Sequence, residues 1–582
     1  MKELVCPKHN CLTPEGKCMQ FEINKVTGEK VFCDKEPVSS VTIYWCEECN
    51  IPIFEKECSA CGREGSYIAT DIRPVFPEEK LLLSILLEKE DPLVLDSASV
   101  WNAGYAYIVD GKKVKLSINE INKRPLSEIR LIKEKYDNYV TKIDTTYFEL
   151  MIIKFVEENK DRYNSVTDEA IAFVQKYAKS YKLEDMFVSF SGGKDSTVTS
   201  DIVTRAFSSN NIMHIFGDTT LEFPTTYEYK KKFASSHTVI TAKNYDKNFE
   251  ELCTQIGPPS RVMRWCCTVF KTGAINKKLT QVFKDRTNVL TFYGIRKSES
   301  SSRSKYERES ESPKIAMQTV VSPIIDWIDF DIWLYILTTK IDYNYAYRLG
   351  YSRVGCWCCP NNGGWSEFLS KIHMYEQFGK WRNLLVEFAN QIGKPDAEEY
   401  IDSGNWKARQ GGNGLELSKK SIVNFEPCAT EENSFNYELQ KPITEELYEL
   451  FKPFGYINKQ LGNQRLGEVY VLDKKGNVVL MLQGRIGTNR LKVTINKTNI
   501  AKSKSLAAAE GKIQCQLTKY QMCLGCKACE SVCKHNAITI REVNNGEMSY
   551  KINDDKCVRC TECVAHFDAG CYMRKVLTIK RG

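Results

Sequence analysis

A short glycine-containing loop between two apolar segments is the first part of this chain that could do chemistry. The apolar run 186–190 is followed by Ser191, Gly192, Gly193, Lys194, Asp195 and Ser196, and a periodic apolar segment then continues to Phe207. This order predicts a buried strand, a tight loop and a helix. Two glycines let the backbone fold around a bound group, while the helix N-terminus and the Lys194 charge attract phosphate oxygens. Residues 191–196, the phosphate loop, therefore form a candidate phosphate site.

The spacing of this loop separates it from two common nucleotide-binding motifs. It fits neither G-x-x-x-x-G-K-[ST] nor G-x-G-x-x-G, so kinase-like, GTPase-like and dinucleotide-binding proteins lose their main support.

Polar residues also follow two other predicted strands. Asp218 and Glu222 come after the run 212–216, and Gly294 and Arg296 come after the run 289–293. Because parallel strands present their carboxyl ends at one edge of a sheet, we expect these residues to share a crevice with Lys194. Arginine is suited to phosphate or sulfate oxygens. The carboxylates also suit a helix N-cap and first turn, and the two roles are compatible.

Twenty-four cysteines supply the second kind of chemistry. The pairs Cys46, Cys49 and Cys58, Cys61 have the spacing of a zinc ribbon with a structural Zn²⁺. Cys6, Cys11, Cys18 and Cys33, with His9 nearby, leave a second zinc site open because their spacing is irregular. A third group comprises Cys266, Cys267, Cys356, Cys358 and Cys359. A fourth, near the end of the chain, comprises Cys523, Cys526, Cys529, Cys533, Cys557, Cys560, Cys563 and Cys571.

Length and composition bound the architecture. The 582 residues carry a net charge of +7, which permits a nucleic-acid partner without requiring one. No leader-like or membrane-spanning apolar run occurs, so we expect a cytoplasmic protein without a membrane partner, in which cysteines bind metals before they form disulfides. Alternating helices and strands predict a multidomain α/β protein built on a doubly wound parallel sheet. The predicted units are a zinc-ribbon-like domain (1–70), a small β-rich and PUA-like module (71–145), the α/β domain (146–427), a small α+β module (428–510) and a cysteine-rich domain (511–582).

The ordered motifs SGGKDS, GDTTLEFP, RWCCxxxK, GIRxxES, PIxDW with DIW, and GCWCCP are similar to those of the phosphoadenosine phosphosulfate (PAPS) reductase family, within the PP-loop ATPases. The resemblance covers about residues 185–362. It implies an adenine nucleotide at Ser191 to Ser196, Asp218, Gly294 and Arg296. It also implies one [4Fe-4S] cluster on Cys266, Cys267, Cys356 and Cys359, with zinc as the alternative metal and Cys358 as a spare or reactive thiol.

The last cysteines resemble a bacterial two-cluster ferredoxin, in which the fourth cysteine of each run ligates the other cluster. That resemblance implies one [4Fe-4S] cluster on Cys523, Cys526, Cys529 and Cys571, the first ferredoxin set. It implies another on Cys557, Cys560, Cys563 and Cys533, the second ferredoxin set. Lys534 stands where the family usually has proline, and the last spacing is longer than usual.

Two departures from the reductases shape the functional hypotheses. The C-terminal Glu-Cys-Gly-(Leu/Ile)-His segment of the assimilatory reductases is missing, and the SGGxDS loop, degraded in them, is intact here. Both favour an enzyme that adenylates an acceptor with ATP, aided by Mg²⁺ on Asp195 or Asp218, and then transfers sulfur to a small molecule, tRNA or DNA. Lys194, Asp195, Asp218 and Arg296 are its candidate catalytic residues, and sulfur-donor and electron-donor proteins are its expected partners. The alternatives are a ferredoxin-coupled reductase of adenylyl sulfate or PAPS, and a non-enzymatic nucleotide-binding electron relay.

Overall fold

The computed structural model describes residues 2–23, 29–104, 106–284, 286, 288–311, 318–409, 423–543, 547–565 and 571. The glycine-rich residues 410–414 and most of 566–582 lie outside these residues. Among the helices that are described, none has the length and apolar character needed to traverse a bilayer.

The cysteine-rich start of the chain forms small antiparallel sheets. Its strands are β1 (Lys2–Val5), β2 (Phe21–Ile23), β3 (Lys30–Phe32), β4 (Val38–Val41), β5 (Ile43–Cys46), β6 (Ile51–Ile53) and β7 (Ser66–Ala69). β1 pairs with β4, β2 pairs with β3, and β5 lies between β6 and β7. Each CxxC pair sits at a turn, as in a zinc ribbon.

A four-stranded antiparallel sheet follows, in the order β11-β10-β9-β8. Its elements are β8 (Arg73–Pro74), α1 (Pro77–Leu86), β9 (Val100–Ala103), β10 (Ala106–Val109), β11 (Lys112–Lys115), α2 (Ile118–Lys123) and α3 (Leu126–Tyr139). β10 and β11 form a hairpin. Asp110 and Gly111 both have positive φ, 47° and 78°, as a two-residue type I′ turn requires.

The central α/β domain carries a six-stranded sheet in the order β14-β13-β12-β15-β17-β16. The strands are β12 (Met186–Phe190), β13 (Met213–Asp218), β14 (Thr238–Lys243), β15 (Val289–Tyr293), β16 (Glu309–Glu311) and β17 (Gln318–Val321). All pairs are parallel except β16 with β17. The chain runs outward from β12 to β14 and returns to β15 on the other side of β12. The loops after β12 and β15 therefore meet at the switch point, where such sheets bind ligands.

Helices cover this sheet and continue beyond it. They are α4 (Thr146–Glu158), α5 (Lys160–Gln175), α6 (Lys194–Phe207), α7 (Pro224–Phe233), α8 (Phe249–Ile256), α9 (Gly273–Val282), α10 (Asp329–Thr339), α11 (Gly364–His373), α12 (Tyr375–Gln391) and α13 (Ala397–Asp402). A π-helical turn at Cys267–Thr272 precedes α9. One apolar core joins these elements to the N-terminal sheets: Trp45, Trp101, Val188 and Phe330 all belong to it.

The C-terminal part begins with an antiparallel sheet in the order β18-β19-β23-β22-β21-β20. Its strands are β18 (Asn424–Pro427), β19 (Ser434–Glu438), β20 (Tyr456–Asn458), β21 (Glu468–Leu472), β22 (Val478–Gln483) and β23 (Arg490–Ile495), and the hairpin β24 (Ile538–Glu542) and β25 (Met548–Ile552) follows. The helices are α14 (Glu446–Glu449), α15 (Leu506–Met522), α16 (Ala528–Val532) and α17 (Glu562–Ala565). The predicted boundary at 510 and 511 falls within α15, whose Ile513 packs in a core shared by both sides.

Candidate active site at the phosphate loop and middle cysteines

The phosphate loop turns directly from β12 into α6. Gly192 has φ of +71°, and a Cβ there would meet Thr226 Cγ2 at 2.9 Å, so both conformation and space require glycine. Asn344 holds the turn by donating to the Gly192 carbonyl at 3.2 Å. The N–H of Lys194, in the first turn of α6, donates to the Tyr347 hydroxyl at 2.9 Å. The strand, tight loop and helix are thus in the predicted order, and the N-terminus of α6 lies at a large cavity that is described below.

Four charged side chains, the charge quartet, lie beside this loop: Lys194, Asp195, Arg296 and Asp329. Arg296 Nε contacts Asp195 at 2.6 Å and its Nη2 contacts Asp329 at 2.7 Å. Lys194 Nζ lies 3.3 Å from each of the same two carboxylates. Both cations are only 3% exposed. Their buried charges compensate one another, and a polyphosphate would compete with the carboxylates for them.

The pKa values follow from this pairing. Burial alone would lower the pKa of Lys194, but Asp195 and Asp329 outweigh it and hold that pKa above its usual value. Burial would raise the pKa of Asp329, whereas Lys194 and Arg296 lower it to about 2. The pKa of Asp195 is lowered in the same way, against the effect of its burial. All four groups are therefore charged at neutral pH.

Gly294 is required by a close approach of two backbones. A Cβ on Gly294 would lie 2.6 Å from the carbonyl carbon and oxygen of Asp195. The absent side chain lets the end of β15 reach the phosphate loop, and Gly294 itself lines the cavity. This approach brings Arg296 to the phosphate loop, where it contacts Asp195, although Arg296 itself does not line the cavity.

Asp218 and Glu222 have different surroundings. The Asp218 carboxylate accepts from the Thr220 N–H at 2.8 Å and from the Tyr227 hydroxyl at 2.9 Å. Its neighbours Gly217 and Thr219 line the cavity, but Asp218 does not. Glu222 does line it, accepts from Thr219, and has a pKa raised by burial. The turn-capping role of Asp218 is thus the one that its contacts support.

One cavity of about 2150 Å³ is lined both by the candidate phosphate site and by metal-ligating cysteines. Its lining includes the loop residues Ser191, Gly193, Asp195 and Ser196 and the middle cysteine set, which is Cys266, Cys267, Cys356 and Cys359. The segment carrying Cys356 is held by a bridge to Glu222 and by the Trp357 N–H, which donates to the Leu221 carbonyl at 3.0 Å. Four cysteine thiolates on two segments are a donor set that fits a [4Fe-4S] cluster and also zinc.

Cys358 is separated from this set although it lies between two of its members. It is 8% exposed and packs with Cys253, Trp265 and Phe388 in an apolar cluster. Burial raises the pKa of its thiol well above the usual value. A buried, protonated thiol suits a packing role and not a reactive one.

The ferredoxin-like part contacts the same region. Helix α16 packs on the π-helical turn Cys267–Thr272 and on α9. Cys526, Cys571 and Met522 belong to the apolar cluster that contains Cys266 and Cys358. Val532, Lys534 and Glu562 line the large cavity. Of the two ferredoxin sets, the first therefore lies next to the region of the middle cysteine set.

Both ferredoxin sets are assembled by their folds. Cys533, Cys557, Cys560 and Cys563 all line one small cavity, with His535 and Arg559 at its edge. Burial raises the pKa of Cys523 and Cys526, and the neighbouring Cys529 and Cys571 raise both further. The structure places Cys533 near Cys557, Cys560 and Cys563, and Cys571 near Cys523. The all-thiolate donor sets fit [4Fe-4S] clusters.

The N-terminal cysteines form two compact groups. The sulfurs of Cys46, Cys49, Cys58 and Cys61 all lie within 4.8 Å of one another, as do ligand atoms of Cys6, His9, Cys18 and Cys33. Cys11 Sγ is 3.7 Å from Cys18 Sγ but does not belong to that mutually close set. Both donor sets fit a tetrahedral zinc ion, and His9 takes the place that the irregular spacing left open.

Three residues of the site were missed by sequence reasoning. Asp329 precedes the predicted DIW helix, and only its position at the helix start hinted at a role. Tyr347 has no motif around it. Asp71 lies between β7 and β8, in the N-terminal part of the chain. Its carboxylate accepts from the N–H groups of Asp329 and Phe330, both at 3.0 Å.

Comparison with known proteins places these features in a family. Residues 185–362 match the phosphoadenosine phosphosulfate reductase domain, and residues 522–566 match a 4Fe-4S dicluster domain. The uncharacterized protein MJ0973 of Methanocaldococcus jannaschii is 30% identical over 335 residues, which cover 54% of this chain and 78% of that protein. An adenosine 5'-phosphosulfate reductase of Geobacillus sp. (strain WCH70) is 26% identical over 193 residues, covering 31% of this chain and 75% of that protein.

Among solved structures, the crystal structure of PAPS reductase from Candida auris is similar with a TM-score of 0.25 and 16% identity. The matched region covers 32% of this chain and 95% of the Candida auris chain. The two family matches and the relative from Methanocaldococcus jannaschii give the classification: the chain belongs to the phosphoadenosine phosphosulfate reductase domain family and carries a 4Fe-4S dicluster domain near its C-terminus.

Proposed function

We propose that the protein binds ATP at the phosphate loop, adenylates an acceptor, and replaces the adenylate with sulfur in an iron–sulfur-dependent reaction. The observation that carries this proposal is the shared cavity, which is lined by an intact phosphate loop and by four cysteines of the middle set. A nucleotide held by its phosphates there has its α-phosphorus and any bound acceptor within a cysteine-lined enclosure.

In the first step an acceptor oxygen attacks the α-phosphorus, and the bond from that phosphorus to the bridging oxygen breaks. Pyrophosphate leaves with the bonding electrons, and the acceptor becomes an adenylate. The loop N–H groups, Lys194 and Arg296 stabilise the charge that develops on the phosphate oxygens. Asp195 is the candidate Mg²⁺ ligand, because Asp195 lines the cavity whereas Asp218 does not.

In the second step a sulfur nucleophile displaces AMP from the activated acceptor. The middle cysteine set would hold a [4Fe-4S] cluster, which would supply an iron site for the sulfur nucleophile. Residues of this chain hold the reacting segments in place: Tyr347 and Asn344 fix the loop, and Glu222 and Thr219 fix the segment carrying Cys356. A small molecule, tRNA or DNA is the proposed acceptor class.

The test is product analysis with protein prepared without oxygen. Incubation with ATP and Mg²⁺ should release pyrophosphate when an acceptor is present, and an equal amount of AMP once a sulfide donor is added. The Lys194→Gln variant should lose most of this activity, whereas Lys231→Gln, which changes an exposed lysine on α7, should retain it. Absence of pyrophosphate from the wild-type protein with all acceptor classes would refute the adenylation step.

A second candidate function is reduction of adenylyl sulfate or PAPS. It is favoured by the packing of the ferredoxin helix α16 on the turn that carries Cys267, and by the relatives named as adenosine 5'-phosphosulfate reductases. Adenylyl sulfate would take up two electrons, and the bond between its sulfur and the bridging oxygen would break to give sulfite and AMP. Sulfite formed with a chemical reductant identifies this function, and nucleotide binding without either set of products identifies an electron relay.

A further inference from the structure

Lys519 is a buried cation in the last turn of α15. Its side chain is buried against the ferredoxin-like part, and the residue is 3% exposed. Its Nζ donates to the Cys563 carbonyl at 2.8 Å. Within the described part of the chain, no aspartate or glutamate forms an ion pair with it. An ammonium group in such a place needs negative charge from another source.

The groups around Lys519 belong to the ferredoxin sets. Leu517 and Tyr520, close to Lys519 in α15, pack in the apolar cluster that contains Cys529, Cys533 and Cys563. Ionised Cys529, Cys563, Cys571 and Cys515 favour the protonated form of Lys519 against the effect of burial. Cys529 and Cys571 belong to the first ferredoxin set, whereas Cys563 belongs to the second. Lys519 therefore lies between the two sets, close to members of both.

The energetics indicate what this position is for. A buried, unpaired ammonium costs several kcal/mol, and neutral thiols do not offset that cost. Four thiolates around a [4Fe-4S] core carry net negative charge, and each added electron increases it. A cation in the same low-dielectric interior stabilises this charge, and net charge near a cluster is one of the factors that set its reduction potential.

We propose that Lys519 is a positioning residue for electron transfer, whose buried charge raises the reduction potentials of the clusters held by the two ferredoxin sets. The role concerns electron storage and is independent of which nucleotide reaction the cavity performs. The competing explanation is purely structural: the bond from Lys519 to Cys563 ties α17 to α15.

The experiment compares reduction potentials in the full-length protein, prepared without oxygen and titrated with dithionite while the reduced clusters are followed by EPR. Lys519→Gln removes the charge but keeps a hydrogen-bond donor, and Lys519→Arg keeps the charge. Lys512→Gln, about two helical turns earlier on α15, is the matched control. We expect Lys519→Gln to make reduction at least tenfold less favourable, about 59 mV for a one-electron couple. Lys519→Arg and Lys512→Gln should stay near the wild type.

Each outcome bears on the proposal. If Lys519→Gln binds its full iron complement with unchanged potentials, the charge has no redox role and the proposal is wrong. If that variant fails to assemble clusters while Lys519→Arg assembles them, charge compensation is supported by assembly itself. If both variants fail, the shape of lysine and not its charge is required, and the proposal is overturned.

Discussion

Arg296 Nε lies 2.6 Å from the Asp195 carboxylate, so the segment after β15 is tied to the first turn of α6. The same guanidinium reaches Asp329 at the start of α10. Three elements of the α/β domain are thus fixed around the phosphate loop by one buried cation. Arginine can do this because its planar fork presents several donors at once.

Replacing Arg296 should damage both folding and nucleotide binding. Arg296→Met leaves the Asp195 and Asp329 carboxylates short of a partner, and breaking such a buried pair costs about 3–5 kcal/mol. The neighbouring Lys297→Met is the control, since Lys297 pairs with Asp326 at the surface and such pairs contribute about 0–1 kcal/mol. Urea denaturation and nucleotide titration of both variants measure the difference; equal losses in the two would contradict the role given to Arg296.

Gly294 offers a test of the backbone approach. In Gly294→Ala the new methyl group meets backbone atoms of Asp195 and Ser196 at 2.6–2.8 Å, and these atoms cannot rotate away. We expect a stability loss of about 1–3 kcal/mol and weaker nucleotide binding, because the phosphate loop must shift. Gly363→Ala also changes the cavity lining but meets no heavy atom within 4 Å, and its φ of −71° suits alanine. A Gly294→Ala protein that binds nucleotide as the wild type does would show that the loop has room to move.

The sequence predicts the phosphate loop, Gly294, Arg296 and the cysteine sets because each stands in a local motif whose spacing has a physical reason. Asp71 and Asp329 could not be found in this way. They meet across 258 positions, and their contact depends on how the N-terminal module docks on α10. Asp218 shows the reverse limit: a strand end predicts the right edge of the sheet, but the side chain turns toward Thr220 and Tyr227.

The second N-terminal metal site can be tested through Cys11. The structure groups Cys6, His9, Cys18 and Cys33, so Cys33→Ser should remove one zinc ion and loosen strands β1 to β4, since small modules of this kind fold on their metal. Cys11→Ser should retain both ions because Cys11 lies outside the mutually close atoms. Elemental analysis that counts zinc separately from iron decides the matter. Loss of zinc from Cys11→Ser would mean that Cys11, and not His9, is the fourth ligand.

Asp71 should make stability depend on pH near neutrality. Burial of its carboxylate and the neighbouring Asp329 raise its pKa to about 7, above the unfolded value of about 3.9. Between these values the folded protein binds more protons than the unfolded chain, so this group lowers the free energy of unfolding as pH rises, by up to about 1.4 kcal/mol per pH unit.

Asp71→Asn should remove that slope. The free energy of unfolding should therefore fall more steeply in the wild type than in the variant between about pH 5 and about pH 8. Asp326→Asn, at an exposed carboxylate on the segment before α10, should leave the slope intact. Parallel slopes in the wild type and Asp71→Asn would show that the Asp71 carboxylate does not titrate in this range.

The adjacent residues Cys358 and Cys359 give the sharpest test of the middle cysteine set. Cys359 lines the large cavity, whereas Cys358 packs beside Cys253 in the apolar cluster. With three [4Fe-4S] clusters the wild type should hold about twelve irons, and Cys359→Ser should hold about eight because its cluster loses a thiolate. Cys358→Ser should keep about twelve, at the cost of burying a hydroxyl, so its effect should be on stability alone. Iron loss from Cys358→Ser with retention in Cys359→Ser would exchange their roles. About eight irons in the wild type and in both variants, with a third zinc ion in the wild type that Cys359→Ser loses, would identify the middle set as a zinc site and leave the ferredoxin sets as the only iron centres among the four cysteine groups.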